Sequence, residues 1–158
     1  MSGFAVIFNR QDSSELKNMF QRIDHRGPYL SGKFEGGRIS MAQNYLRADC
    51  PGAHPEDDPV PVTHPGDKNS SICYDGQMGN WEELARTHGV PDGNFREERL
   101  LLLLYRKYGR DMLDYLDDAV FAFAISDGEE LLAARDLLGI KTLFYGRQDD
   151  TLYLSCEL

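Results

Sequence analysis

Tryptophan occurs once in this 158-residue chain and cysteine three times, at Cys50, Cys73 and Cys156. The cysteines are widely spaced, with no C-x-x-C pair and no histidine at ligand spacing, so neither a disulfide framework nor a zinc site is expected. They read as reduced thiols of a cytoplasmic protein. Basic residues are also short: 17 Lys and Arg against 26 Asp and Glu leave a net charge of -9. A chain without a basic surplus has few counterions to release from a phosphate backbone, so nucleic acid is not an expected partner. Apolar runs such as Leu100–Leu104 fall far short of a membrane span, and no basic segment followed by an apolar stretch opens the chain. Neither a membrane nor an export signal is therefore expected. Internal repeats and low-complexity tracts are missing too, and the length suits one domain over residues 1–158.

What is present is a sequence of short, well-punctuated elements. The opening stretch MSGFAVIF carries a strand-like apolar run from Phe4 to Phe8 almost at once. Because termini fray unless they are tied down, this start predicts a terminus held in the interior. In DSSELKNMFQRI, Leu16, Met19, Phe20 and Ile23 recur at helical spacing, and Asp12 with Glu15 has capping-box spacing. HRGP follows as a turn. Gly36-Gly37 separates two strands, the second of which places Ile39, Met41, Gln43 and Tyr45 on one face. Asp49 to Lys68 is rich in Pro, Asp and Gly and reads as a long irregular loop.

SSICYDG reads as a strand and turn, and NWEELARTHG as a short helix capped by Asn80 and stopped by Gly89. REERLLLLLYRKYG has too many leucines for one narrow stripe and predicts a helix buried between layers, with RDMLDYLD adding a further turn or two. AVFAFAI, ELLAARD, TLFYGR and TLYLSC then read as strands joined in hairpins. This order predicts an α+β fold with two antiparallel sheets and helices outside them.

Four stretches taken together carry a resemblance: HRGP (25–28), YDG (74–76), FAFAISD (121–127) and ARDLLGIKTLFYG (134–146). In this order they resemble the class II (type 2) glutamine amidotransferase domain, above all the N-terminal domain of glutamine-hydrolysing asparagine synthases. The last stretch is the most specific. The resemblance covers essentially the whole chain and implies an αββα sandwich of the N-terminal-nucleophile hydrolase type. In that family the residue after the initiator methionine is a cysteine that attacks the glutamine amide, with its own α-amino group as base.

Here that residue is Ser2, a weaker nucleophile than a thiol because its hydroxyl relies wholly on the base. The family's oxyanion hole is an Asn-Gly pair, and this chain has Asp75-Gly76. A carboxylate has no hydrogen to donate and repels a neighbouring oxyanion. The arginine that holds the substrate α-carboxylate aligns with Asn44 or Tyr45, of which Asn44 is taken as the substrate-binding position, and the aspartate that holds the α-amino group aligns with Glu97.

Ser2, Asp75 and Gly76 are thus the expected catalytic positions and Asn44 and Glu97 the substrate-binding ones, in a site whose glutaminase activity is expected to be weak or lost. His25 is expected to be a hydrogen-bonded support, and Arg135-Asp136 a buried structural pair. The resemblance further implies an ATP-dependent ligase half as partner, on the same chain or a separate one. ATP and Mg are expected only there, since the Ser-Gly-Gly-x-Asp-Ser pyrophosphate loop is not in these residues. No cofactor is expected in this domain. An active glutaminase using Ser2 to release ammonia from glutamine, and a stand-alone ligand- or protein-binding module, are the alternatives.

Overall fold

The opening apolar run lies in the middle of a sheet, which explains why it begins so abruptly. In the computed structural model, which describes residues 2–158, this run forms β1 (Gly3–Phe8). β1 pairs on one side with β3 (Ile39–Tyr45) and on the other with β9 (Thr151–Ser155), antiparallel to both. β2 (Leu30–Gly36) and β8 (Phe144–Gln148) complete this five-stranded sheet as its edges, in the order β2-β3-β1-β9-β8. The second sheet has the order β4-β5-β6-β7, from β4 (Val62–His64), β5 (Asp67–Met78), β6 (Ala119–Ser126) and β7 (Leu131–Arg135).

Period-two alternation sorts the side chains of the second sheet between two cores. Ile72, Tyr74 and Met78 of β5, with Phe121, Phe123 and Ile125 of β6, join the core shared with α3 (Arg96–Tyr108) and α2 (Trp81–His88). Cys73, Ala122 and Ala124 turn the other way and pack with Phe4, Val6 and Met41 of the first sheet, whose own helix is α1 (Ser13–Arg22). Small side chains at Ala122 and Ala124 let the sheets approach. The result is helix, sheet, sheet, helix, as expected. Leu100, Leu101, Leu102 and Leu104 of α3 are all buried, and each contributes about 1.5–3 kcal/mol on leaving water.

Local punctuation mostly follows the sequence. The Asp12 carboxylate accepts the Glu15 N–H at 3.0 Å and caps α1, and Gly89 ends α2 in the left-handed conformation at φ 68°. Three expectations need correction. Asn80 precedes α2 without a side-chain capping bond, and its Oδ1 is buried with no partner. RDMLDYLD is not an α-helical extension but part of a 3-10 segment, Gly109–Tyr115, because Gly109 adopts φ 57°, ψ -136° and breaks the α ladder. The loop from Asp49 to Lys68 is not wholly irregular: Val62–His64 pairs with β5, which itself starts at Asp67.

Candidate functional site

Ser2, Asp75 and Gly76 come together where the start of β1 meets the middle of β5, at one end of a cleft of about 540 Å³. Ser2 is held at three atoms. Its N–H donates to Asp75 Oδ1 at 3.3 Å, its hydroxyl donates to the Tyr74 carbonyl at 3.0 Å, and its carbonyl accepts from Arg26 Nε at 2.9 Å. Asp75 projects from β5 on the face opposite Tyr74 and is almost wholly buried. It takes Arg26 Nη2 on Oδ2 at 3.1 Å and Lys141 Nζ on Oδ1 at 2.9 Å, so two cations share one carboxylate. Gly76 has a steric reason to be glycine, since a Cβ there would lie 2.7 Å from the Tyr74 ring, the Tyr74 hydroxyl and the Val120 carbonyl.

The HRGP turn supplies the arginine. Residues Asp24–Arg26 form one 3-10 turn, and Gly27 follows where a Cβ would stand 2.5 Å from the Tyr45 backbone. That close approach directs the Arg26 side chain under Ser2, where its third nitrogen, Nη1, bonds Glu157 at 2.6 Å. This bond is the main reason the Glu157 carboxyl sits below the usual range. His25, expected as a hydrogen-bonded support, does bond Glu157 at 3.1 Å but lies exposed, while Arg26 contacts Ser2 and Asp75 directly. Arg135 and Asp136 are not an ion pair as expected. Arg135 donates to the Asp136 carbonyl, while the Asp136 carboxylate accepts the Ile140 and Lys141 N–H groups at 2.9 Å each, and so fixes the turn that delivers Lys141.

The opposite wall of the cleft comes from the start of α3. Glu97 Oε2 accepts both the Tyr74 hydroxyl and the Met78 N–H, the latter at 3.2 Å. Burial raises the Glu97 pKa, against the pull of those two bonds. Glu98, beside it and buried, accepts the Tyr45 hydroxyl at 2.8 Å and is pushed up to about 7, with desolvation as the largest cause. Tyr45 and Tyr74 are both raised well above their ordinary value, again chiefly by burial and then by these glutamates. Among the described residues, neither glutamate has a cation at salt-bridge distance.

Asn44, taken as the substrate-binding position, does not line the cleft. Its amide donates to the Ile23 carbonyl at 3.0 Å, and its Oδ1 is buried without a partner close to Gly3. On β3 successive residues face opposite ways, and it is Tyr45 that faces the cleft. Arg26, Lys141, Glu98 and Glu157 were not singled out from the sequence, because the partners Asp75, Tyr45 and Arg26 lie 49 to 131 positions away. Among the described residues, no group of three or more His, Cys, Asp or Glu is arranged to hold a metal.

Two sheets with a buried residue 2 at their junction, facing a cleft, make the comparison with known proteins decisive. The glutamine amidotransferase domain family matches residues 1–158. The chain belongs to that family. The amidotransferase domain is 28% identical over 169 residues to asparagine synthetase [glutamine-hydrolyzing] 1 of Arabidopsis thaliana, matching 100% of this chain and 28% of that protein. It is 30% identical over 169 residues to asparagine synthetase [glutamine-hydrolyzing] 1 of Bacillus subtilis, matching 99% of this chain and 26% of the relative. The domain thus spans about a quarter of the curated relatives it matches.

Its fold is shared with the glutamine phosphoribosylpyrophosphate amidotransferase from B. subtilis solved with ADP and GMP. The TM-score is 0.80 at 14% identity, over 98% of this chain and 41% of that one. The amidotransferase domain is an αββα sandwich of the N-terminal-nucleophile hydrolase type, as the sequence resemblance implied. Among the described residues no helix is long and apolar enough to cross a membrane.

Proposed function

We propose that this amidotransferase domain of asparagine-synthase type retains the scaffold but not efficient glutamine hydrolysis, and serves as the structural companion of an ATP-dependent ligase half. One observation carries the reading: Asp75, at the position where an amide cleavage needs a hydrogen-bond donor, is a carboxylate bonded to Arg26 and Lys141. Losing one oxyanion donor costs about a hundred- to a thousandfold in rate. The Ser2 nitrogen, which would be the free α-amine once Met1 is removed, lies on the same carboxylate. A carboxylate partner favours the ammonium form, and an ammonium has no lone pair to accept the hydroxyl proton. The Ser2 hydroxyl donates instead to a backbone carbonyl. ATP and Mg would be held by the ligase half, and a cytoplasmic setting accords with three buried free thiols.

A second reading has one observation in its favour. Lys141 lines the cleft and shares Asp75 Oδ1 with the Ser2 N–H. In a working glutaminase using Ser2, its ammonium would be the group to replace the missing amide donor. The test is glutamate release from glutamine by the unchanged chain, by Ser2→Cys, and by Ser2→Cys combined with Asp75→Asn and Glu97→Asp, each with its fold verified by circular dichroism. Negligible release by the unchanged chain is expected, with gain confined to the combined variant. Rapid turnover by the unchanged chain, abolished by Lys141→Met, would establish the second reading and overturn the first.

A further inference from the structure

The cleft between Ser2 and α3 is a held enclosure whose charges do not balance. Asn94 Nδ2 donates to the Gly52 carbonyl at 2.9 Å and to Asp58 Oδ2 at 3.0 Å, and the Tyr29 hydroxyl donates to the Ala53 carbonyl at 3.1 Å. The segment after β3 is thereby tied down beside the start of α3. Asp49, Asp75, Glu97 and Glu98 line the space against two cations, Arg96 and Lys141. Both cations have carboxylate partners within the protein. Arg96 bonds Asp92 at 2.8 Å, with its guanidinium 4.8 Å from the centre of the Trp81 ring, and Lys141 bonds Asp75 at 2.9 Å. Among the acids, Glu98 stands apart. It is 6% exposed yet lines the cleft, it accepts the Tyr45 hydroxyl at 2.8 Å, and no cation among the described residues lies at salt-bridge distance from it. A carboxyl withdrawn from water in this way is costly to ionise without a counter-charge, and a cleft is where a ligand can supply one.

We propose that Glu98 and Tyr45 form a subsite for a protonated primary amine, and that the cleft takes amine ligands that carry no carboxylate beside the amine. The inference rests on the functional reading above, in which glutamine is not efficiently turned over, and names what the cleft holds instead. An ammonium has three N–H donors and no acceptor, which suits a carboxylate whose protein partner is a neutral hydroxyl. Its charge favours the ionised form of Glu98 and offsets the desolvation that otherwise raises this group. Aromatic rings add to the fit. Phe95, in the left-handed conformation at φ 55°, lays its ring 5.1 Å from that of Tyr45, and both residues line the cleft, so a cation seated there gains from the rings as well as from the carboxylate. A ligand carboxylate in the same place meets Glu98 as a like charge, while Arg96 and Lys141 are bonded to Asp92 and Asp75. Glu97 is the less suited of the two glutamates, because its Oε2 takes both the Tyr74 hydroxyl and the Met78 N–H.

Three probes built on one carboxamide chain separate the charges. 4-Aminobutanamide carries the amine alone, L-glutamine the amine with its α-carboxylate, and glutaramate the carboxylate alone. Isothermal titration calorimetry on the unchanged chain should show saturable binding of 4-aminobutanamide, with glutamine bound at least about tenfold more weakly and glutaramate more weakly still. Glu98→Gln, its fold verified by circular dichroism, should weaken 4-aminobutanamide by at least about tenfold and erase its advantage over glutamine. If that variant does not fold, the backbone NMR resonances of Tyr45, Phe95 and Glu98 in the unchanged chain decide: they should move on titration with 4-aminobutanamide, and shifts confined to other residues overturn the subsite. Glutamine bound as tightly as 4-aminobutanamide, or no saturable binding of the amine, overturns the inference, and the functional reading survives if the same samples release no glutamate. Rapid glutamate release overturns both.

Discussion

The two walls of the cleft solve the same problem, carboxylates out of water, in opposite ways. At the Ser2 wall the Asp75 charge is met by two cations, and Glu157 behind it is met by Arg26. At the α3 wall Glu97 and Glu98 take hydrogen bonds from neutral donors, among them the hydroxyls of Tyr74 and Tyr45 and the Met78 N–H, with no cation at salt-bridge distance among the described residues. Charge pairing fixes a carboxylate in its ionised form, whereas neutral partners in a dry site leave desolvation in control and raise the pKa. One wall is therefore an ionic clamp, and the other holds two glutamates whose pKa burial raises. A site made for an amino acid zwitterion needs a cation for one end and an anion for the other, and here Arg26 and Lys141 are both bonded to Asp75.

The sharpest way to break the contrast is at Asp75. Asp75→Asn removes the shared carboxylate, leaves Arg26 with Glu157 as its carboxylate partner and takes from Lys141 its ion-pair partner; the two side chains are 11% and 21% exposed. Breaking a buried pair costs about 3–5 kcal/mol, and the partial exposure of Lys141 places the expected loss near the lower end. Urea unfolding measures it, and adding Lys141→Met should recover part of the loss. A stable Asp75→Asn protein would mean that the clamp does not hold this corner.

The α3 wall gives the next largest effect. Glu98 has its pKa raised from 4.5 to about 7 in the folded state. The fold therefore binds a proton that the unfolded chain has released, and this stabilisation is complete below about pH 4.5 and lost as pH rises through about 7. At roughly 1.4 kcal/mol per pKa unit, the change is on the order of 3 kcal/mol. The thermal midpoint of the unchanged chain should fall across this window, and Glu98→Gln should flatten the fall. An equal slope in both proteins would remove Glu98 from the account.

Much of the scaffold could be read from the chain, because strand and helix periods, Asp12, Gly89 and the hairpin turns act over a few residues. The site was legible in part, and the failures share a cause. Motif order leads to Ser2, Asp75 and Gly76 as candidates, and the structure places all three along one cleft. Asn44 was chosen over Tyr45 at a position where one step along a strand exchanges interior wall for cleft wall, and an alignment without register cannot decide that parity. Arg26 was hidden inside HRGP behind a histidine that draws the eye, yet it is the arginine that reaches Ser2, Asp75 and Glu157. Lys141 and Glu98 gave no local signal at all. Their meaning comes from partners that only folding delivers.

A smaller effect separates the hydroxyl of Tyr45 from its ring. Tyr45→Phe keeps the aromatic contact with Phe95, whose ring centroid lies 5.1 Å away, but removes the donor to Glu98. Glu98 then has one bond fewer to support its ionised form, so its titration should move further up, and stability near neutral pH should drop by about 1 kcal/mol for one lost hydrogen bond. Proton NMR or infrared titration of the Glu98 carboxyl in both proteins reads the shift, and its direction is what matters. A downward move would mean that the tyrosine hydroxyl favours the protonated acid, and that the α3 wall carries its charge by some route other than the neutral pairing on which the contrast between the two walls depends.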